Sequence, residues 1–382
     1  MAVSKKAGSY DQDLMRDMKV VQERLGIGLT RQVLDYLALA GAGTGLTFEE
    51  YHFFELYKHS RADYAGYMGD HRARAAFFLA NDLSNWDAAE DKLNFAQAMA
   101  AAGLPTPEIR ALAHATRTME GIRSLASEDD VRAFLQSCAL PVFGKPAMAS
   151  HGDGAVQITG RRGEQFVNDC GDMFNADQLS NEIAGYVQGS GYLFQEVLQP
   201  HEGIAKITGG RLATMRMLVM LGPDGPAMRH ALLRMAAGDN RVDNFRRKGN
   251  LIAPVDRASG MLGPAHCGIG PASQQLAAHP DTGERIDGFV VPGFAQAAQL
   301  ACTASLHFPT LHLQSWDVAV TDQGPVLLEM NPGGNFNILQ LAAGRGVFDA
   351  EFRTFLEWRL ADNTNAHVNA KALKEARKLL KL

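Results

Sequence analysis

The sequence predicts a mixed α/β (α+β) fold, with several antiparallel hairpins preceded by a helical region. Two observations carry this expectation. From about Asp13 to Asp91 charged residues interleave with apolar ones at helical spacing, and strand-like runs are scarce. Beyond Gly103 the chain turns to short β-rich runs with Gly, Pro, Asn or Asp near most of their ends, separated by fewer helical segments. A length of 382 residues and an apolar fraction of 46% provide for two or three subdomains.

The elements follow in chain order. EEYHFFELYKHSRADYAGY and HRARAAFFLAND carry the aromatic clusters of the helical region. DKLNFAQAMAAAGLPTPE places Leu93, Phe95, Ala98 and Met99 at helical spacing and stops at Gly103 and Pro105. The expected strands are ALPVFGKPA, AVQITG, GYLFQEVL, RLATMRMLVML, LHLQSWDVAV and PVLLEM, and EDDVRAFLQSC and GFAQAAQLACTASL are expected helices between them. The last segment, HVNAKALKEARKLLKL, sets lysines beside leucines. It reads as an amphipathic helix docked on its own protein, since a net charge of −5 gives a membrane-surface helix no support.

The same modest charge argues against nucleic acid as a partner. Cys138, Cys170, Cys267 and Cys302 lie far apart without metal-ligand spacing, and read as reduced packing residues. With no signal-peptide pattern and no run of membrane-span length, the expected location is cytoplasmic. GxxxxGK[ST], GxGxxG and GxSxG are all missing, and His151 and His201 read as loop histidines.

The stretch WDVAVTDQGPVLLEMNPGGN places acids among valines and leucines. Alternation puts Asp317 on one strand face; in VLLEM it puts Leu327 and Glu329 on one face and Val326, Leu328 and Met330 on the other. A hairpin symmetric about Gln323 makes Asp317 and Glu329 directly opposed partners. Their Cβ atoms then lie about 5 Å apart, where like charges repel. A divalent cation offsets that repulsion, because carboxylate oxygens are the ligands Mg²⁺ prefers, and Asn331 returns to the same face with an amide oxygen. A slip of register by one or two residues would instead leave Glu329 solvated and Asn331 at the start of a turn. Earlier in the chain, PVFGKPAMASHGDGAVQI offers Lys145 at the end of an apolar strand, then a small-residue loop with Ser150, Gly152 and Gly154. Glycines let backbone amides approach phosphate oxygens, although by itself this hairpin reads as an ordinary flexible turn.

Taken in order, DKLNFAQAMAAAGLPTPE, PVFGKPAMASHGDG, LFQEVL, TMRMLVM, VDNFRRKGN and WDVAVTDQGPVLLEMN resemble the ATP-grasp superfamily over roughly Asp91 to Gln340. RVDNFRRKGNLIAPVDRASGML, IDGFVVPGF and HLQSWDVAVTDQGPVLLEMNPGGNFNILQ look like its sugar-transfer-associated branch, related to α-L-glutamate ligase-like proteins. The resemblance implies an ATP-grasp fold in which two antiparallel-sheet subdomains clamp ATP. The implied layout is a helical region over 1–90, a first subdomain with the glycine-rich lid over 91–200, a second with the metal site over 201–360, and a terminal helix over 361–382.

Position by position, the resemblance implies that Lys92 and Lys145 reach the ATP phosphates, with Ser150, Gly152 and Gly154 in the lid. It implies a hinge at Glu196, Val197 and Leu198, where backbone groups of Glu196 and Leu198 read the adenine edge, and Glu202 as a ribose partner. Arg216, alternating with Met215 and Met217, leaves their face for the cleft, and it and Arg234 resemble arginines aimed at the transferring phosphate or a substrate carboxylate. Asn244 resembles the polar residue of a loop closing over the triphosphate. Asp317, Glu329 and Asn331 would hold Mg²⁺, as two ions, with Mn²⁺ also admissible.

Three departures stand out. Gly249 and Asn250 occupy the place of paired glycines, PGGN follows Asn331 where relatives carry an acid, and Trp316 sits where several ligases place an arginine. The implied activity is an ADP-forming ligase joining a small-molecule carboxylate to an amine through an acyl phosphate. Phosphotransfer to a hydroxyl and a nucleotide-binding module without turnover stay open as rivals. Neither the substrates nor the oligomeric state is legible.

Overall fold

A computed structural model describes residues 13–82, 84, 90–148, 153–331, 333–362 and 370–381. The N-terminal region is helical: α1 (Leu14–Leu25), α2 (Leu29–Ala42), α3 (Phe48–Phe53) and α4 (Asp70–Ala80). Asp13 opens α1 by accepting from Arg16 N–H, and Gly26, at φ 69°, closes it. Thr47 and Glu50 form a reciprocal capping box on α3. Tyr51, Phe54, Tyr57, Tyr64 and Tyr67 of this stretch share one core.

Next comes α5 (Lys92–Ala101), capped by Asp91 through Leu93 N–H and Asn94 N–H. This helix serves two cores. Phe95 and Met99 join one, Leu93 and Ala96 another, so its apolar residues do not collect on a single stripe.

Fourteen strands among the described residues form two seven-stranded sheets. The first contains β1 (Ile109–Ala113), β2 (Arg123–Leu125), β3 (Val142–Pro146), β4 (Val156–Arg162), β5 (Gln165–Asn168), β6 (Met173–Phe174) and β7 (Tyr192–Gln195), in the order β2-β1-β7-β3-β4-β5-β6. Its β1–β2 pair is parallel and the others are antiparallel. Helices α6 (Glu128–Ser137) and α7 (Ala176–Gln188) bury Val131, Phe134, Leu179 and Ile183 against it. Each opens with a capping box, Ser127 with Asp130 and Asn175 with Gln178.

The second sheet holds β8 (Thr214–Gly222), β9 (Gly225–Met235), β10 (Leu251–Val255), β11 (Ala265–Cys267), β12 (Gln274–Leu276), β13 (Leu313–Thr321) and β14 (Gly324–Asn331). The order is β12-β11-β10-β9-β8-β13-β14, antiparallel throughout. Helices α8 (Glu202–Thr208) and α9 (Phe294–Ser305) pack into the core on one face, which holds Met215, Met217, Trp316 and Val318. Helix α4, α10 (Phe336–Ala343), α11 (Ala350–Ala361) and α12 (Ala370–Leu380) pack into the core on the other.

The terminal helix α12 docks on α4 and buries Ala376 and Leu380, as its amphipathic pattern predicts. The six strands expected from the sequence are present. Short strands such as β2, β6, β11 and β12 escape sequence reading because two or three residues carry no measurable alternation. Among the described residues, no helix is long and apolar enough to cross a membrane.

Candidate functional site

The two sheets face each other across a cleft of about 450 Å³, within the range of small-molecule sites. One wall comes from β3, β4 and the segment after β7; the other comes from β8, β9, β13 and β14.

Asp317 and Glu329 are directly opposed partners across β13 and β14. The route to that pairing differs from the symmetric hairpin expected. Thr321 pairs with Gly324, Val320 with Pro325 and Ala319 with Val326, one residue tighter than a turn centred on Gln323. Gly324 makes the tight turn at φ 108°. The ladder then shifts between Val318, opposite Leu327, and Asp317, opposite Glu329, leaving Leu328 as the extra residue of a β-bulge. This corrects the expected faces. Leu327 and Met330 pack into one core, whereas Leu328 and Glu329, neighbours in sequence, both line the cleft.

Repulsion between the two acids is offset by cations of the chain itself. Asp317, 1% exposed, accepts from Arg216 Nε on Oδ1 at 2.5 Å, from Arg216 Nη2 on Oδ2 at 2.8 Å, and from Arg234 Nη2 on Oδ2 at 2.8 Å. Burial alone would raise this carboxyl, but the two guanidiniums outweigh it and hold it well below the usual carboxylate range. Glu329 lies 3.6 Å from Lys92 Nζ and accepts from Asn331 Nδ2 at 3.3 Å.

Arg216 lies on the predicted face, opposite Asp317, while Met215 and Met217 pack into the core. It is not, however, aimed at a ligand: its side chain is 5% exposed, its fork is spent on Asp317, and it does not line the cleft. Arg234 does line it, donating also to Thr214 Oγ1. Trp316 is fully buried between Phe95 and Phe308, so its position belongs to the core and cannot supply the charge of a cleft arginine.

Lys145 lines the cleft from β3, and its ammonium has no hydrogen-bond partner among the described residues. Burial and the neighbouring Lys92 push it down to about 8, against the opposing pull of Glu329. Lys92 enters the same cleft from the start of α5, its backbone N–H donating to Ala147 O just beyond β3. Gly154, at φ 76°, could carry no side chain: a Cβ would come within 2.8 Å of Pro146 and of the Tyr186 hydroxyl. Ser150 and Gly152 lie outside the described residues.

At the other end, Phe143, Val197, Leu198 and Leu328 give the cleft apolar walls. Glu196 is pinned by its own N–H on Glu108 O and by its carboxylate accepting Glu108 N–H, each at 2.9 Å. Leu198 N–H has no protein acceptor among the described residues and sits at the cleft wall. Glu202 departs from expectation. It is exposed at the start of α8, outside the cleft lining, with its N–H held by Asp322 at the hairpin tip.

Asn244 lines the cleft. The Asn250 that replaces an expected glycine is fully buried and fastens this loop, donating to Val242 O and Asn244 O and accepting from Ala237 N–H. Sequence reasoning missed Thr214, Asp243 and Leu328 as cleft residues. Thr214 lies two residues before Arg216, so alternation could have found it; Leu328 needed the bulge.

The donor set fits a hard cation. Two carboxylates and an amide share the ladder end, with the Glu329 side chain within hydrogen-bond reach of Asp317 and Asn331 Nδ2 on Glu329. Among the described residues no cage of three or more His, Cys, Asp and Glu side chains exists, so further ligands would come from substrate and water.

Comparison with known proteins places a family profile, sugar-transfer associated ATP-grasp, on residues 74–354. No curated protein matches the sequence. Solved structures with a similar fold include a biotin carboxylase–ATP complex from Campylobacter jejuni (11% identity, TM-score 0.43, 73% of this chain and 48% of that one). An L-amino acid ligase from Bacillus licheniformis follows at 10% identity and TM-score 0.40, covering 72% of this chain and 49% of that one. A D-Ala:D-Ser ligase from Enterococcus faecalis aligns at 15% and 0.38, covering 74% and 63%. The chain spans about half the length of the first such structures, 45% of an N5-carboxyaminoimidazole ribonucleotide synthetase and 54% of an N5-carboxyaminoimidazole synthase from Aspergillus clavatus.

Proposed function

This chain belongs to the sugar-transfer associated ATP-grasp family, and from that premise we propose that it is an ATP-dependent ligase joining a carboxylate to an amine, with release of ADP and phosphate. The observation that carries the reading is the polarity of one cleft. Lys92, Lys145 and Arg234 converge with Asp317 and Glu329 at one end, while an apolar slot with an open Leu198 N–H forms the other.

In this reading the slot takes the adenine between Phe143 and Leu328, with Leu198 N–H donating to its edge. Lys145, whose ammonium has no hydrogen-bond partner among the described residues, meets the phosphates together with Lys92. Mg²⁺ held by Glu329, Asn331 and Asp317 would neutralise phosphate charge and fix the γ-phosphoryl group. Arg234 faces the charge that develops on the transferring group, so that alignment and fixed positive charge supply most of the catalysis. A substrate carboxylate oxygen bonds to the γ-phosphorus as the bond to ADP breaks. The amine nitrogen then bonds to the acyl carbon as inorganic phosphate leaves, and the proton lost from nitrogen passes to solvent.

The test is incubation with Mg·ATP, a panel of carboxylates and hydroxylamine. A hydroxamate formed in step with ADP is the expected result. A phosphorylated product stable to hydroxylamine would replace the ligase with phosphotransfer to a hydroxyl, and absence of both would remove the reading.

A further inference from the structure

Asp317 Oδ2 already accepts two guanidinium bonds, from Arg216 and Arg234 at 2.8 Å each. A carboxylate oxygen has about two acceptor directions, so this oxygen is full. A divalent cation that draws on this carboxylate also meets two fixed positive charges at contact distance, and at that range the repulsion is large unless one of them withdraws.

The two arginines are held very differently. Arg216 grips Asp317 with both arms of its fork and has no other ion-pair partner among the described residues. Arg234 gives Asp317 one bond only and braces itself on Thr214 Oγ1 through Nε at 3.0 Å and Nη2 at 2.5 Å. A second acid waits beside it: Asp243 Oδ1 lies 3.7 Å from the same Nη2. Asp243 spends its other oxygen on Thr214, accepting the backbone N–H at 2.9 Å and the hydroxyl at 2.5 Å. Its Oδ1 accepts no hydrogen bond among the described residues. Moving Nη2 by about 1 Å would close that gap to hydrogen-bond length.

We propose that Asp243 is a positioning residue that receives Arg234 when a divalent cation occupies Asp317, so that the cation and the arginine exchange places on one carboxylate. The inference rests on the cation reading of Asp317 given above. Thr214 serves as the pivot, since it holds both partners before and after the exchange. Asp243 also precedes Asn244 in the loop that lines the cleft, so the exchange links occupancy of Asp317 to the position of that loop.

Calorimetric titration of a non-hydrolysable ATP analogue, with Mn²⁺ and with metal chelated, reads the exchange without turnover. The quantity is the gain in affinity on adding Mn²⁺. Asp243→Asn keeps an oxygen for Thr214 but removes the charge that attracts Arg234. It should lower the gain about tenfold, the order expected for losing one close charge partner. In an Arg234→Gln background the same substitution should change nothing, because no guanidinium remains to be received. A wild-type gain in Asp243→Asn overturns the proposal, and so does a loss of equal size in both backgrounds, which would mark a structural role. Asp317→Asn separates the two levels: a gain equal to wild type there defeats the cation reading itself.

Discussion

At the scale of single residues, the informative group is Lys145. Its ammonium is pushed down to about 8 from an ordinary 10.5 by burial and by Lys92, so the free protein carries a partly neutralised lysine where an anion is proposed to bind. Phosphate would restore the charge and raise the value. Nucleotide affinity should therefore be flat below pH 8 and weaken above it, approaching a tenfold loss per pH unit until the bound-state value is passed. Lys145→Met should abolish that slope and weaken binding at pH 7 by about tenfold or more. Titration calorimetry across pH 6.5–9.5 checks both, and an unaltered slope in the variant would assign the proton to another group. Legibility at this scale divides by context. The sequence alone pairs Asp317 with Glu329, because both lie at alternating positions of one hairpin. It does not tell that Arg216 would be consumed by Asp317, since a bidentate grip depends on two strands far apart in sequence arriving in register.

At the scale of the element, the β13–β14 hairpin shows how a right pairing arises from an unforeseen path. Local alternation assigns Leu328 to the core, and only a ladder shift between Asp317 and Val318 turns it into the cleft. No residue type in VLLEM announces a bulge, so the signal is tertiary. The consequence is testable. Leu328→Ala should keep the fold and the Asp317–Glu329 register while removing apolar contact worth about 1–2 kcal/mol, roughly a tenfold loss of nucleotide affinity. Equal affinity in the variant would show that the extra residue serves packing alone. The end of α5 was more legible: Gly103 before Pro105 marks a stop that the chain obeys, because caps are set by neighbours in sequence.

At the scale of the whole molecule, α5 joins the architecture. Its Phe95 and Met99 belong to the core of the second sheet and its Leu93 and Ala96 to the contact with the first, while its first residue, Lys92, enters the cleft between them. The apolar spacing of this helix was readable, yet the division of its residues between two cores was not, since that depends on where both sheets come to lie. Phe95→Ala should cost about 3–5 kcal/mol in denaturant unfolding, and a cost below about 1 kcal/mol would show that the helix does not bind the two layers together. Together these residues make the cleft the proposed seat of a nucleotide and a divalent cation. A crystal structure with a non-hydrolysable ATP analogue and Mn²⁺, read by anomalous scattering, tests that most directly. Phosphates are expected between Lys92 and Lys145, with an anomalous peak at Glu329 and Asp317 and the adenine edge on Leu198 N–H. A nucleotide seated elsewhere, or manganese remote from both carboxylates, would contradict it.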